Sequence, residues 1–159
     1  GGNMSSRLFI SIRERRGLAY FVRCFPNFYQ DTGNIMIQSG LDMARLDEAI
    51  GVIIAELRKM KKQGVTAKEL KNAKEFIRGK TILNLEDSSH LAEYFAKQEL
   101  LIGKIETPEQ KMKKYNAVKA ADIKKLATEI FRKERLNLAL IGSFKSAERF
   151  KKIIKAGKL

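Results

Sequence analysis

Cysteine, histidine and acidic residues are scarce in this chain, and each scarcity removes a class of function. Cys24 is the one cysteine among 159 residues, so no intramolecular disulfide can form and a reducing compartment, the cytoplasm, is the expected setting. His90 is the one histidine. A metal motif that needs a pair of histidines on one helix face cannot be built from it. Long apolar runs are missing too: none approaches the ~20 residues of a membrane span. No charged-then-apolar leader opens the chain, and no internal repeat, low-complexity tract or long linker divides it. Asp and Glu number 18 against 32 Lys and Arg, a formal net charge of +14. Such a balance would suit a polyanion. The lysines, however, are spread over the polar side of nearly every helical stretch and interrupted by Glu56, Glu69, Glu75 and Glu129. No RNA-recognition strand, zinc finger or basic heptad region is present. The charge reads as a solvated surface or the complement of an acidic partner half, and no nucleic acid is expected as a ligand.

What is present describes a globular mixed chain. Hydrophobic content of 44% and charged content of 31% exclude disorder, and the length suits a single domain over residues 1–159 with a real core. Ser5 or Ser6 can cap a helix to about Arg16, with Leu8, Phe9 and Ile12 at helical spacing. Residues 18–29 and 33–41 read as strands, joined by Asp31-Thr32-Gly33 in hairpin chemistry with Gly33 relieving the turn. A long amphipathic helix follows, with Met43, Leu46, Ile50, Ile53, Ile54, Leu57 and Met60 on one face and Gly64 at its end. Thr66 with Glu69 forms a capping box for the next helix, which carries Leu70, Ala73, Phe76 and Ile77 inward. Asp87-Ser88-Ser89 caps a helix bearing Leu91, Phe95, Leu100 and Leu101. Thr107-Pro108 with Gln110 opens another. Residues 120–132 predict a helix, 135–142 a final strand, and 144–156 a terminal helix.

The run from Arg13 through Gly17 to Tyr20 is the most informative. It reads as a helix that ends in cations, stops at a glycine and hands over to a strand. Such a run is either an ordinary capped helix or a scaffold that aims a guanidinium and a phenol at one carbonyl oxygen. Other candidates are weaker. Asp31-Thr32-Gly33 is also the aspartic-protease tripeptide, but it occurs once and lacks the apolar run that buries a catalytic aspartate. Cys24 alternates with Tyr20 and Val22 on one strand face and reads as a small buried hydrophobe. Phe21, Phe25, Phe28 and Tyr29 read as core, with a peptide-binding wall as the other reading. His90 reads as a helix-start or surface residue. Lys119 stands where a capping threonine would serve better, weakening that helix start.

Gly1-Gly2-Asn3-Met4-Ser5-Ser6-Arg7-Leu8-Phe9, followed by Arg13 and Tyr20 in an Arg-x6-Tyr spacing, resembles the C-terminal half of M16 zinc peptidases. That is the family of mitochondrial processing peptidase, pitrilysin and insulin-degrading enzyme, and the likeness is to its short bacterial-type members. It continues through Asp31-Thr32-Gly33, Gly64-Val65-Thr66, Gln98-Glu99-Leu100-Leu101 with Gly103 and Pro108, and Leu138-Ala139-Leu140-Ile141-Gly142. The resemblance implies an α+β fold: a metallopeptidase-half (LuxS/MPP-like) sandwich of a mostly antiparallel sheet covered by helices, lacking its first strand-helix segments. It also implies a function, as the substrate-binding C-terminal half of a zinc metalloendopeptidase that encloses and hydrolyses unfolded peptides. The zinc would be held by His-x-x-Glu-His in an N-terminal half, in the same chain or a separate subunit, as a homodimer or heterodimer. In that scheme Arg13 and Tyr20 are the catalytic residues of this half, and the fragment alone is inactive. A non-catalytic M16-like scaffold or assembly subunit is the alternative.

Overall fold

The computed structural model describes residues 1–144 and 146–156. Its architecture is α+β, 62% helical with one small antiparallel sheet, and the chain divides into two compact units. One comprises Gly1–Gln63 together with the chain from Lys125 on; the other is Gly64–Lys124. Among the described residues no helix is long and apolar enough to cross a membrane.

The first unit is built on a hairpin. β1 (Ala19–Phe28) pairs antiparallel with β2 (Gly33–Leu41), close to the limits that the aromatic and β-branched runs predict. Gly33 serves the turn by smallness rather than by conformation. Its φ is not positive, but an added Cβ would lie 2.9 Å from the Asn27 carbonyl oxygen. The Cys24 amide points away from β2 and donates to the Gly1 carbonyl at 3.1 Å. Pro26, two residues on, therefore has its donor-less nitrogen on the outer edge of β1, where a proline breaks no ladder bond.

Two apolar clusters hold this unit. Leu8, Ile12, Leu18, Ala19, Val22 and Ala49 form one, with Cys24, Ile37 and Leu41 partly buried against it. Leu46, Ile50, Ile54 and Phe150 form the other, joined by Leu136, Leu140, Phe144 and Ile153. α1 (Leu46–Gln63) feeds both clusters, as its helical spacing predicts. Met43 departs from that face: it lies in a 3-10 turn ahead of α1 and is 47% exposed. α6 (Glu148–Ala156) packs on α1 through Phe150, and Arg149 Nε donates to both Asp47 carboxylate oxygens at 2.8 and 2.7 Å.

The expected strand over 135–142 is not a strand. Lys133–Arg135 is a 3-10 turn, and Leu136 to Gly142 have no ladder partner among the described residues. A strand exists only where a neighbour accepts its backbone bonds, and this segment instead drops Leu136 and Leu140 into the second cluster while Ile141 is fully exposed. The terminal helix begins later than 144, and Lys145 lies outside the described residues.

The second unit contains α2 (Ala67–Leu85), α3 (Ser88–Ile102), α4 (Pro108–Ala117) and the start of α5 (Ala120–Ile130). Its helix starts follow from local chemistry. Thr66 Oγ1 accepts from the Glu69 amide at 3.2 Å while Glu69 accepts from the Thr66 amide at 2.7 Å. Thr107 and Gln110 repeat the exchange at 3.3 and 2.9 Å. Asp87 Oδ1 accepts from the Ser89 and His90 amides at 2.7 and 3.1 Å. At Lys119, half of a box survives, with its amide donating to Asp122 at 2.8 Å. The inward face expected of α2 is not buried: no α2 residue is buried, and Phe76 is 39% exposed. Among the described residues of this unit the buried side chain is polar. Gln98 donates to the Tyr94 and Glu106 carbonyls and accepts from the Glu106 amide, pinning the loop between α3 and α4.

Candidate functional site

Arg13 and Tyr20 sit on opposite sides of one short reversal, and both stand beside a one-residue irregularity. Phe9–Glu14 is a π-helix, widened by one residue per turn relative to an α-helix. The widening is visible in its bonds: the Arg15 amide donates to the Ile10 carbonyl at 2.9 Å. Ser11 Oγ donates to the Arg7 carbonyl at 2.6 Å, and Arg16 Nη1 donates to the Ser11 carbonyl at 2.8 Å, so side chains occupy backbone acceptors that the irregular turn frees. Ser11 and Ile12 face the core. Arg13 is exposed, with its guanidinium 5.0 Å from the Phe9 ring centroid.

Gly17 ends the helix with φ 57°, the left-handed conformation that favours glycine. Its amide donates to the Arg13 carbonyl at 3.0 Å, and the Leu18 amide donates to the Ile12 carbonyl at 2.9 Å. Both bonds are one residue wider than in the usual glycine-terminated helix end, in keeping with the π turn. Arg45 Nη1 donates to the Arg16 carbonyl at 3.0 Å, and the Asp42 amide to the Leu18 carbonyl at 3.2 Å. The reversal is thereby fastened to the start of α1.

Tyr20 is a β-bulge residue. Ala19 pairs with Leu41 and Phe21 with Gly40, so two steps along β1 match one along β2. This corrects the expected face. In a regular strand Tyr20 would share the core side with Val22 and Cys24, but the bulge puts Ala19 and Val22 inward and leaves Tyr20 85% exposed. Among the described residues neither the Tyr20 hydroxyl nor the Arg13 guanidinium has a hydrogen-bond partner. They are not bonded to each other; they are two donors held by the same buried anchors, Ile12 at 0% and Leu18 at 1% exposure.

The remaining candidates separate cleanly. Cys24 is half-buried and free, and burial pushes its thiol up, which disfavours the thiolate. Asp31 is exposed in the hairpin loop, a turn residue. His90 is exposed at the start of α3. Among the described residues no group of three or more His, Cys, Asp or Glu could hold a metal ion. Phe21 and Phe25 are half-buried on the sheet face away from the core, while Phe28 and Tyr29 are 86% and 59% exposed. The core reading of that aromatic stripe is therefore wrong. Residue-by-residue alternation also missed Arg23 and Gln38, which meet across the hairpin. Their meeting is set by the hairpin register, which no spacing within either strand records.

Comparison with known proteins bears on this geometry. Residues 1–77, which contain the π segment, the reversal and the whole hairpin, match the peptidase M16 inactive domain. Over that stretch the chain belongs to the peptidase M16 family. It is 38% identical over 141 residues to YmxG, an uncharacterized zinc protease of Bacillus subtilis, covering 89% of this chain and 34% of that protein. An uncharacterized zinc protease of Streptomyces coelicolor is 30% identical over 93% of this chain and 32% of its own length. The M16 chain thus spans about a third of the curated relatives it matches. A protease from Helicobacter pylori superposes with TM-score 0.69 at 26% identity, covering 83% of this chain and 32% of that one. The M16 inactive domain from Pseudomonas fluorescens superposes with TM-score 0.74 at 20% identity, over 83% of this chain and 31% of that one, a likeness of fold.

Proposed function

We propose that this M16 domain is the substrate-holding half of a zinc metalloendopeptidase acting on unfolded peptides. The zinc would belong to an N-terminal half, in the same polypeptide or a separate subunit, where it would supply Lewis-acid chemistry. The role of the present chain is to orient the scissile bond. The Arg13 guanidinium is permanently charged, and the Tyr20 phenol is a neutral donor. Both are free to donate to a peptide carbonyl oxygen as it gains negative charge, and donors fixed in advance for that oxygen are the effective kind.

The observation that carries this reading is the double irregularity. A π turn beside Arg13 and a bulge at Tyr20 are local departures from regular pairing, and both present side chains that a regular helix or strand would direct elsewhere. Such departures recur at functional sites. The test uses the full-length protein with a quenched-fluorescence unfolded peptide. Tyr20→Phe and Arg13→Ala should each lower kcat on the order of ten- to a thousandfold, with zinc content by elemental analysis unchanged. Undiminished turnover in both variants overturns the assignment. A full-length protein that cleaves no unfolded peptide would favour the scaffold role instead.

A further inference from the structure

β1 and β2 carry one charged side chain between them, Arg23. The register sets Phe21 opposite Gly40, Arg23 opposite Gln38, Phe25 opposite Met36 and Asn27 opposite Asn34, and residues directly opposite share a face. This face is turned from the core. Arg23 and Gln38 are exposed and Met36 is 44% exposed, whereas Val22, Cys24 and Ile37 on the other face belong to the first apolar cluster.

Arg23 is held in place. Its guanidinium lies 5.8 Å from the Phe21 ring centroid and 5.7 Å from that of Phe25. Nε and Nη2 both donate to Gln38 Oε1, at 3.0 and 2.7 Å. The Phe21 ring in turn rests over Gly40, where an added Cβ would come within 2.8 Å of it. The acceptor is a neutral amide, so the charge is oriented but not neutralised. The Nη1 donors meet no acceptor among the described residues. A guanidinium already fixed between two rings loses little side-chain freedom on meeting a carboxylate, and its planar fork suits one.

The position is as telling as the chemistry. Because Ala19 and Val22 both face the core, Tyr20 and Phe21 between them both turn outward. At ~3.3 Å per residue, Arg23 lies about 10 Å from Tyr20 along β1. An extended peptide has the same rise, so a chain whose carbonyl meets Tyr20 brings a residue about three positions away to Arg23.

We propose that Arg23, clamped by Phe21, Phe25 and Gln38, is a specificity-determining subsite that pairs with an acidic side chain of the peptide substrate. This rests on the assignment of Tyr20 as the carbonyl-holding residue, which supplies the register. A peptide fits better than a nucleic acid. The rings are taken up by the guanidinium rather than open for base stacking, and neither strand offers a second cation to follow a phosphate backbone.

The test uses the full-length protein and one parent peptide carrying Asp, Ala or Lys at successive positions on either side of the cleaved bond. At one position about three residues out, kcat/KM should favour Asp over Ala by about tenfold. Arg23→Met should abolish that ratio, and Arg23→Lys should keep part of it. If the full-length protein turns over no peptide, fluorescence anisotropy of labelled Asp and Ala peptides reads the same ratio. No Asp preference at any position, or one that survives Arg23→Met, overturns the proposal. So does a mixed-sequence single-stranded oligonucleotide that binds wild type and not Arg23→Met. Failure of the underlying reading looks different: Tyr20→Phe would then leave every peptide's turnover intact while the Arg23-dependent Asp preference persisted.

Discussion

The Leu18 amide donates to the Ile12 carbonyl at 2.9 Å, closing a ring that contains both Arg13 and Gly17. That bond joins the residue before Arg13 to the start of the Tyr20 strand, so the spacing of the two donors depends on Gly17 keeping its positive φ. An added Cβ at Gly17 would meet nothing within 4 Å. Only backbone strain opposes a substitution there. Gly17→Ala should therefore cost about 1 kcal/mol, read as a lowered denaturation midpoint, and Gly17→Val more. Turnover in the full-length protein should fall with both. A Gly17→Val variant of wild-type stability and activity would contradict the role given to this turn.

Ile12 anchors the same ring from inside, with no exposed surface. Ile12→Ala should destabilise by about 2–5 kcal/mol in chemical denaturation. Because Arg13 and Tyr20 hang on that anchor, kcat should drop even under conditions where the variant remains folded. Loss of stability with an unaltered kcat would separate packing from positioning.

Cys24 packs against the first cluster, and burial raises its thiol. Iodoacetamide near neutral pH should label it more slowly in the native protein than in urea. Cys24→Ala should cost no more than about 1 kcal/mol and leave turnover alone. Rapid native labelling coupled to inactivation would restore a chemical role to this residue.

Asp87 caps α3, and its carboxyl is held below the ordinary range by the hydrogen bond from the His90 amide, aided by those from Ser89. A carboxyl with a depressed folded value stabilises above its unfolded value and loses that contribution as pH falls through the folded one. Protection of α3 amides in hydrogen exchange should therefore decline on acidification below the usual carboxylate range. Asp87→Asn should flatten that decline. An unchanged acid profile in Asp87→Asn would show that the cap carries no pH dependence.

Features set within a few residues were legible in the sequence. Asp31, Thr32 and Gly33 mark the hairpin, and Thr66 with Glu69, Thr107 with Gln110, and Asp87 mark helix starts, because each cap bonds to an amide of its own first turn. The π turn and the bulge were not legible. A single extra residue in a helix or strand depends on what both ends pack against, here Ile12 with Leu18 and Ala19 with Val22, and those pairings become visible only in three dimensions. The segment from Leu136 to Gly142 has strand-forming residues but no ladder partner among the described residues, and the apolar side of α2 is only partly covered by α3 and α4. Arg23 escaped notice for a related reason: its ring neighbours lie on its own strand, but the amide that orients it comes from β2.

Pro26 has a further consequence. A hairpin is a liability wherever an outer edge offers an unbroken row of donors, since a like strand from another molecule can extend it indefinitely. On the outer side of β1 the Cys24 amide is already taken by the Gly1 carbonyl and Pro26 has no donor, so a strand adding there finds no register. Aromatic residues as exposed as Phe28 can then stand at the tip of the hairpin without seeding a fibril along that edge.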